Sequence, residues 1–161
     1  MKGNRRAFVA VAAGLLSLVA CSSQAASTFS VSNSSVDASH TCPVGANNAH
    51  YDIHGTLDAH DGTSKDVTIT SVDATMTLAA VNGGWLQKVG DKYVAHDVTF
   101  TPSTIAAGQS STVSVTIPSA CTGRAANAPV ASGDYAVSFT LTTSAGTFKV
   151  DSKNKHRILT G

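Results

Sequence analysis

The stretch His50-Tyr51-Asp52-Ile53-His54-Gly55-Thr56-Leu57-Asp58-Ala59-His60 decides the fold. Tyr51, Ile53, Gly55, Leu57 and Ala59 occupy every second position. His50, Asp52, His54, Thr56, Asp58 and His60 fill the places between them. A period of two is the signature of a strand with one dry face and one wet face. Asp61-Gly62 then turns the chain.

The same period recurs downstream. Val67 and Ile69 continue it, and Val72, Ala74, Met76, Leu78 and Ala80 resume it one residue out of phase. That shift near Ser71 predicts a bulge or a corner. Asn82-Gly83-Gly84 signals a hairpin. Tyr93 to Thr101 reads as one strand ending at Pro102, and Val113, Val115 and Ile117 as another stopped by Pro118. Tyr135, Val137, Phe139 and Leu141 form the most apolar strand, and Phe148 to Val150 returns after Ala145-Gly146 as the last one. Upstream, Phe29 and Val31 mark a first edge strand, and Ser34 to Asn48 reads as a loop. Composition agrees. All ten acidic residues are Asp, strong helix formers are sparse and β-branched residues abound.

Short strands separated by turns over this length predict an all-β antiparallel sandwich of about seven to nine strands. Two motifs carry a family resemblance. Ser132-Gly133-Asp134-Tyr135 resembles the tyrosine corner that opens strand F in immunoglobulin-like domains. Phe100-Thr101-Pro102-Ser103-Thr104-Ile105-Ala106-Ala107-Gly108 resembles the crossing before strand E in bacterial immunoglobulin-like domains. The resemblance implies an immunoglobulin-like β-sandwich over residues 29–151, with 152–161 as a basic, solvated tail. It says little about activity.

The N-terminus speaks to location. Lys2, Arg5 and Arg6 precede an apolar run from Ala7 to Ala20 that is too short to span a bilayer. It reads as a signal peptide over residues 1–20. Leu18-Val19-Ala20-Cys21 resembles the bacterial lipobox. That resemblance implies cleavage before Cys21, a diacylglycerol on its sulfur and a lipidated tether over residues 21–28. The expected partner of Cys21 is therefore the membrane. Ser23-Gln24-Ala25 offers an alternative cleavage site, which would release a soluble secreted or periplasmic protein starting at Ala26. Arg5-Arg6 also leaves Sec and twin-arginine export both open.

The mature domain keeps two cysteines in an oxidising compartment, so Cys42 and Cys121 are expected to pair. Both fall in segments read as loops, so the bridge is expected to tie loops together and not to cross the core between sheets. Without the signal residues Lys2, Arg5 and Arg6, the formal charge falls from +1 to about −2. That excludes a nucleic-acid footprint.

The polar side of the opening stretch carries the chain's densest set of metal-ligand types: His50, Asp52, His54, Asp58 and His60. Neighbours on one strand face stand about 6.5–7 Å apart, so each adjacent pair supplies at most two ligands. A third would have to come across the sheet, from His96 or Asp97. No metal, cofactor or catalytic residue is assigned: nucleophile elbow, paired-carboxylate and phosphate-loop motifs are missing. The expected function is a non-catalytic envelope lipoprotein that binds or supports an unidentified protein or glycan. A metal-binding protein using the His/Asp face is the alternative, and a secreted soluble domain or hydrolase the third. Trp85 either sits at a loop tip as an anchor for such a partner, with Tyr93 nearby, or packs over one end of the core.

Overall fold

β-Branched residues and the period of two place nearly every regular segment in strands. The computed structural model describes residues 28–161; Cys21, the signal peptide and the tether up to residue 27 lie outside the described residues. Eleven strands form: β1 (Phe29–Val36), β2 (Ser39–Cys42), β3 (Ala49–Asp61), β4 (Val67–Asn82), β5 (Lys92–Ala95), β6 (Thr99–Thr101), β7 (Thr104–Ile105), β8 (Ser110–Cys121), β9 (Ser132–Thr143), β10 (Gly146–Asp151) and β11 (His156–Thr160). One sheet has the order β1-β3-β8-β6. The other runs β2-β11-β9-β4-β5, with β10 also on β9 and β7 on β4. This is the immunoglobulin-type arrangement of two facing sheets. The first sheet matches its A-B-E-D order, and β4 and β9 are the central pair of the second.

The core sits between the sheets. Ile53, Leu57 and Ala59 of β3 and Val113, Val115 and Ile117 of β8 meet Val72, Ala74, Met76 and Leu78 of β4 and Val137, Phe139 and Leu141 of β9. Burying each large aliphatic or aromatic side chain contributes about 1.5–3 kcal/mol. The phase change near Ser71 is a bulge within a single strand, where the β4–β9 register shifts between Ile69 and Ser71. Asn33, with φ of 51°, re-phases β1 in the same way. The β1 backbone then lies so close to β3 that a Cβ on Gly55 would stand 2.8 Å from the Ser35 carbonyl oxygen. Glycine therefore fills an inward position that the alternation would give to a larger residue.

Several expectations are corrected. Ser34–Asn48 is not all loop, because β1 runs to Val36 and β2 follows at Ser39–Cys42. Tyr93–Thr101 is not one strand. β5 pairs with β4 and β6 with β8, so the chain changes sheets through His96–Val98. Strand β8 continues through Pro118 to Cys121. The domain does not end at residue 151, and residues 152–161 are not a solvated tail. β11 lies parallel to β2 and antiparallel to β9, with His156, Ile158 and Thr160 buried. The alternation of these three with Arg157 and Leu159 is itself a strand pattern, masked by the basic residues around it.

Cys42 and Cys121 are bonded, 79 residues apart in sequence. Cys42 closes β2 in one sheet and Cys121 closes β8 in the other. The bridge therefore joins the two sheets at one end of the sandwich, which corrects the loop-to-loop expectation. It defines a disulfide end, with the loops after β2, β4 and β8. The opposite end holds Thr28 and the turns after β3 and β9.

A second tie between the sheets is aromatic. His40 of β2 stacks on Tyr51 of β3, with ring centroids 3.8 Å apart and planes within 7°. The Tyr51 hydroxyl meets His156 Nε2 at 3.2 Å, and His156 Nδ1 meets the Asp37 carbonyl oxygen at 2.8 Å. A carbonyl only accepts, so Nδ1 carries the proton of a neutral ring and Nε2 accepts from tyrosine. Burial pushes the Tyr51 phenol up to about 12, which keeps it a donor. Burial also holds His156 below the ordinary histidine value.

Two measurements test these ties. The depressed pKa of His156 means that the unfolded chain binds its proton more readily. The resulting stabilisation is fully present above about pH 6.5 and is lost as pH falls below it through the folded-state value. Urea midpoints measured between pH 7.5 and 5 should fall on acidification, and H156Q should flatten that fall. For the bridge, loop closure over this separation predicts a loss of about 4 kcal/mol on reduction, read as a drop in the urea midpoint with added dithiothreitol.

Candidate functional site

The disulfide end carries a cleft made of two adjoining hollows. Asn82-Gly83-Gly84 turns out of β4, with Gly83 at φ 79°. This brings Trp85 back across the end of β9. A Cβ on Gly133 would meet the indole at 2.6–2.9 Å, so glycine is what lets the ring approach the strand this closely. Trp85 Nε1 donates to the Tyr135 hydroxyl at 3.1 Å, and that hydroxyl donates to Gln87 Oε1. Burial raises the Tyr135 phenol above its ordinary value, which keeps the donor in place. The Gln87 amide nitrogen is left without a partner in this chain of bonds.

Arg124 organises the opposite wall. Its Nη1 donates to the carbonyls of Ala125, Ala126 and Ala128 at 3.2, 2.8 and 2.8 Å. Gly45 N–H donates to the Arg124 carbonyl, and Gly123 N–H to that of Ala46. The loops flanking the disulfide are thereby laced together. Between these walls lie two adjoining hollows of about 430 and 420 Å³, both lined by Gln87, Ala120, Tyr135 and Ile158. The rim is apolar and wet. Leu86, which lines the larger hollow, is 90% exposed. Hydrogen-bonding groups set in an apolar wall are the chemistry of recognition.

Trp85 is thus half-buried over the core end, with its indole nitrogen bonded inward. It is the floor of the cleft and not a projecting tip. Tyr93 is more exposed, and its hydroxyl reaches the Pro118 carbonyl at 3.5 Å. The Ser132–Tyr135 motif does not make a tyrosine corner, because the Tyr135 hydroxyl bonds to side chains of the β4–β5 loop instead of nearby backbone. Gln87 and Ile158 carry no motif in the sequence. A pattern of turn glycines before an aromatic, facing an inward tyrosine, was the available signal for this end.

The His/Asp face of β3 is organised in pairs. His54 Nδ1 meets Asp37 Oδ2 at 3.2 Å, and His60 Nδ1 meets Ser110 Oγ at 2.9 Å. Asn33 and Thr112 each donate to Asp58 at 3.0 Å, and hold its carboxyl below the ordinary range. His96 lies on Asp73 of the other sheet, at 3.1 Å. His50 and Asp97 both line the smaller hollow. Among the described residues no three His, Cys, Asp or Glu side chains gather as a metal site. Cys21, the expected lipidation site, lies outside the described residues.

The two-sheet topology and its shared core define an immunoglobulin-like β-sandwich. Among solved structures, the chain is similar to the ASH / PapD-like domain of human CEP192 (PapD-like domain 7). The TM-score is 0.35 and the identity 13%, over 92% of this chain and 95% of that one. No protein-family model matches the chain, and no curated protein matches it.

The Trp85–Gly133 contact can be tested directly. G133A should lift the indole off β9, red-shift Trp85 emission and increase its quenching by acrylamide. Stability should fall by roughly 1–3 kcal/mol, the usual cost of overpacking.

Proposed function

We propose that this chain is a non-catalytic binding module of a bacterial cell envelope, anchored through lipid on Cys21 and recognising its partner with the disulfide-end cleft. The observation that carries this reading is the separation of the two ends. The lipobox-like Leu18-Val19-Ala20-Cys21 precedes Thr28 by a short run of small and polar residues. Phe29 pairs with Asp61, at the far end of β3 from Ala49, which pairs with Cys121. A strand of this length extends about 40 Å. A membrane anchor at Thr28 therefore leaves the cleft, with Leu86 on its rim, on the side away from the bilayer. The polar groups of the cleft include the Gln87 amide, the Tyr93 and Tyr135 phenols, the Arg124 guanidinium, the His50 imidazole and the Asp97 carboxylate, a mixed set of donors and acceptors that suits binding.

The anchor is tested by mass spectrometry of the mature N-terminus. A chain starting at Cys21 with two or three acyl groups is the expected result, since one chain alone gives only marginal anchoring. An unmodified chain starting at Ala26 would overturn the anchor and make the domain a soluble exported protein.

A further inference from the structure

We infer that the cleft takes an extended segment of another polypeptide, added as a short strand to the open edge of β8 at Pro118–Cys121. The inference rests on the reading of this end as the recognition surface and names the ligand class.

Strand β8 is paired with β3 along its whole length, from Ser110 to Cys121. On its other side β6 covers only Ser114–Thr116. In an antiparallel ladder, each residue turns both its N–H and its C=O to one side, and successive residues alternate. Pro118 sets the phase. It lacks an N–H, so it belongs where that group would face away from β3. The Tyr93 hydroxyl indeed meets the Pro118 carbonyl from the open side. Ala120, two residues on, therefore also presents its N–H and C=O to the open side. Ala120 lines both hollows.

The cleft thus offers one backbone donor and one backbone acceptor, spaced as in a strand, with the Gln87 amide across from them. That is the pattern another extended backbone satisfies. Leu86 offers apolar surface for its side chains. The other long edge of the sandwich is closed to this. Asn154 there donates to the Val36 carbonyl at 2.7 Å and accepts from the Val36 N–H at 3.1 Å, while Phe29 packs on Phe148.

On the proposed start of the mature chain at Cys21, its own tether is not the occupant. From Thr28, the route to Ala120 spans about 37 Å along β3. The seven residues from Cys21 reach at most about 25 Å. The occupant is therefore a separate polypeptide.

The test uses the full-length mature protein and a capped heptapeptide, Lys-Thr-Val-Thr-Val-Thr-Lys, followed by NMR. In the free protein the Ala120 amide should exchange with solvent roughly tenfold or more faster than those of Ser119 and Cys121. Millimolar peptide should slow it and shift resonances at residues 117–123 and 84–87. The same peptide N-methylated at every interior residue should leave them unmoved. A120P, which removes the one N–H at an edge position that tolerates proline, should weaken binding about tenfold. If that variant does not fold, the methylated peptide still decides. A protected Ala120 amide in the free protein would overturn the inference, as would shifts centred on another edge, or self-association without peptide. No shift at millimolar peptide would also overturn it. A lipidated N-terminus with any of these results would leave the anchor reading standing and remove only the strand-addition site.

Discussion

Strands β3 and β8 face each other from Ala49 opposite Cys121 to His60 opposite Ser110, without a register shift. This ladder fixes which side chains are dry. A slip of one residue would turn Ile53, Leu57, Val113 and Val115 to water and carry His54 and Asp58 into the core. Burying an unpaired charge there costs far more than the domain's whole margin of stability. Elsewhere the chain adjusts to this ladder. Bulges in β1 and β4 restore the phase where the sequence departs from strict alternation, and Gly55 gives way where the re-phased β1 crowds it.

The two sheets are joined very differently along their two sides. On one side the last strand breaks between β10 and β11, and the break is used. Asn154 imitates a neighbouring strand for Val36, Lys153 N–H reaches the Ser34 carbonyl, and His156 bonds to Asp37 and Tyr51. This side is sealed by hydrogen bonds. On the other side β5 and β6 are short and belong to different sheets, so β8 outruns its cover. The disulfide closes the end of the sandwich next to that gap. Burial of Cys42 and Cys121 makes it part of the core, where it replaces the area that a small domain lacks at its margin.

The fold was legible in the sequence because period two and β-branched composition are local properties. His50–His60 and Tyr135–Leu141 needed no tertiary information. What escaped notice depends on long-range pairing. The stretch Lys153–Arg157 looked solvated because lysine and arginine dominate it. Only pairing with β2 and β9 shows that His156, Ile158 and Thr160 share one inward face. Tyr93–Thr101 looked continuous because a switch between sheets leaves no break in alternation. The pairing of Cys42 with Cys121 followed from counting, while its path between the sheets did not, since strand ends and loops look alike around a single cysteine. At the cleft, Trp85 stood out as the only tryptophan. Gln87 and Ala120 did not, because an amide made available by a neighbour's bonds, or a backbone left unpaired, has no side-chain signature.

Pro118 connects these observations. Within a paired strand a proline is tolerated only where its missing N–H faces no partner, so its presence in β8 marks that side as an edge. It also protects the edge, since a strand approaching there finds one donor missing. Tyr93 covers the remaining carbonyl. Together they leave Ala120 as the open backbone at this end of β8, inside a cleft walled by Gln87 and Tyr135. An unguarded edge of this length would pair with any exposed strand, including a second copy. A guarded edge open at one residue favours a segment whose side chains also fit the walls. Selectivity then comes from the cleft and not from the backbone, which is how a flat sandwich edge becomes a specific site.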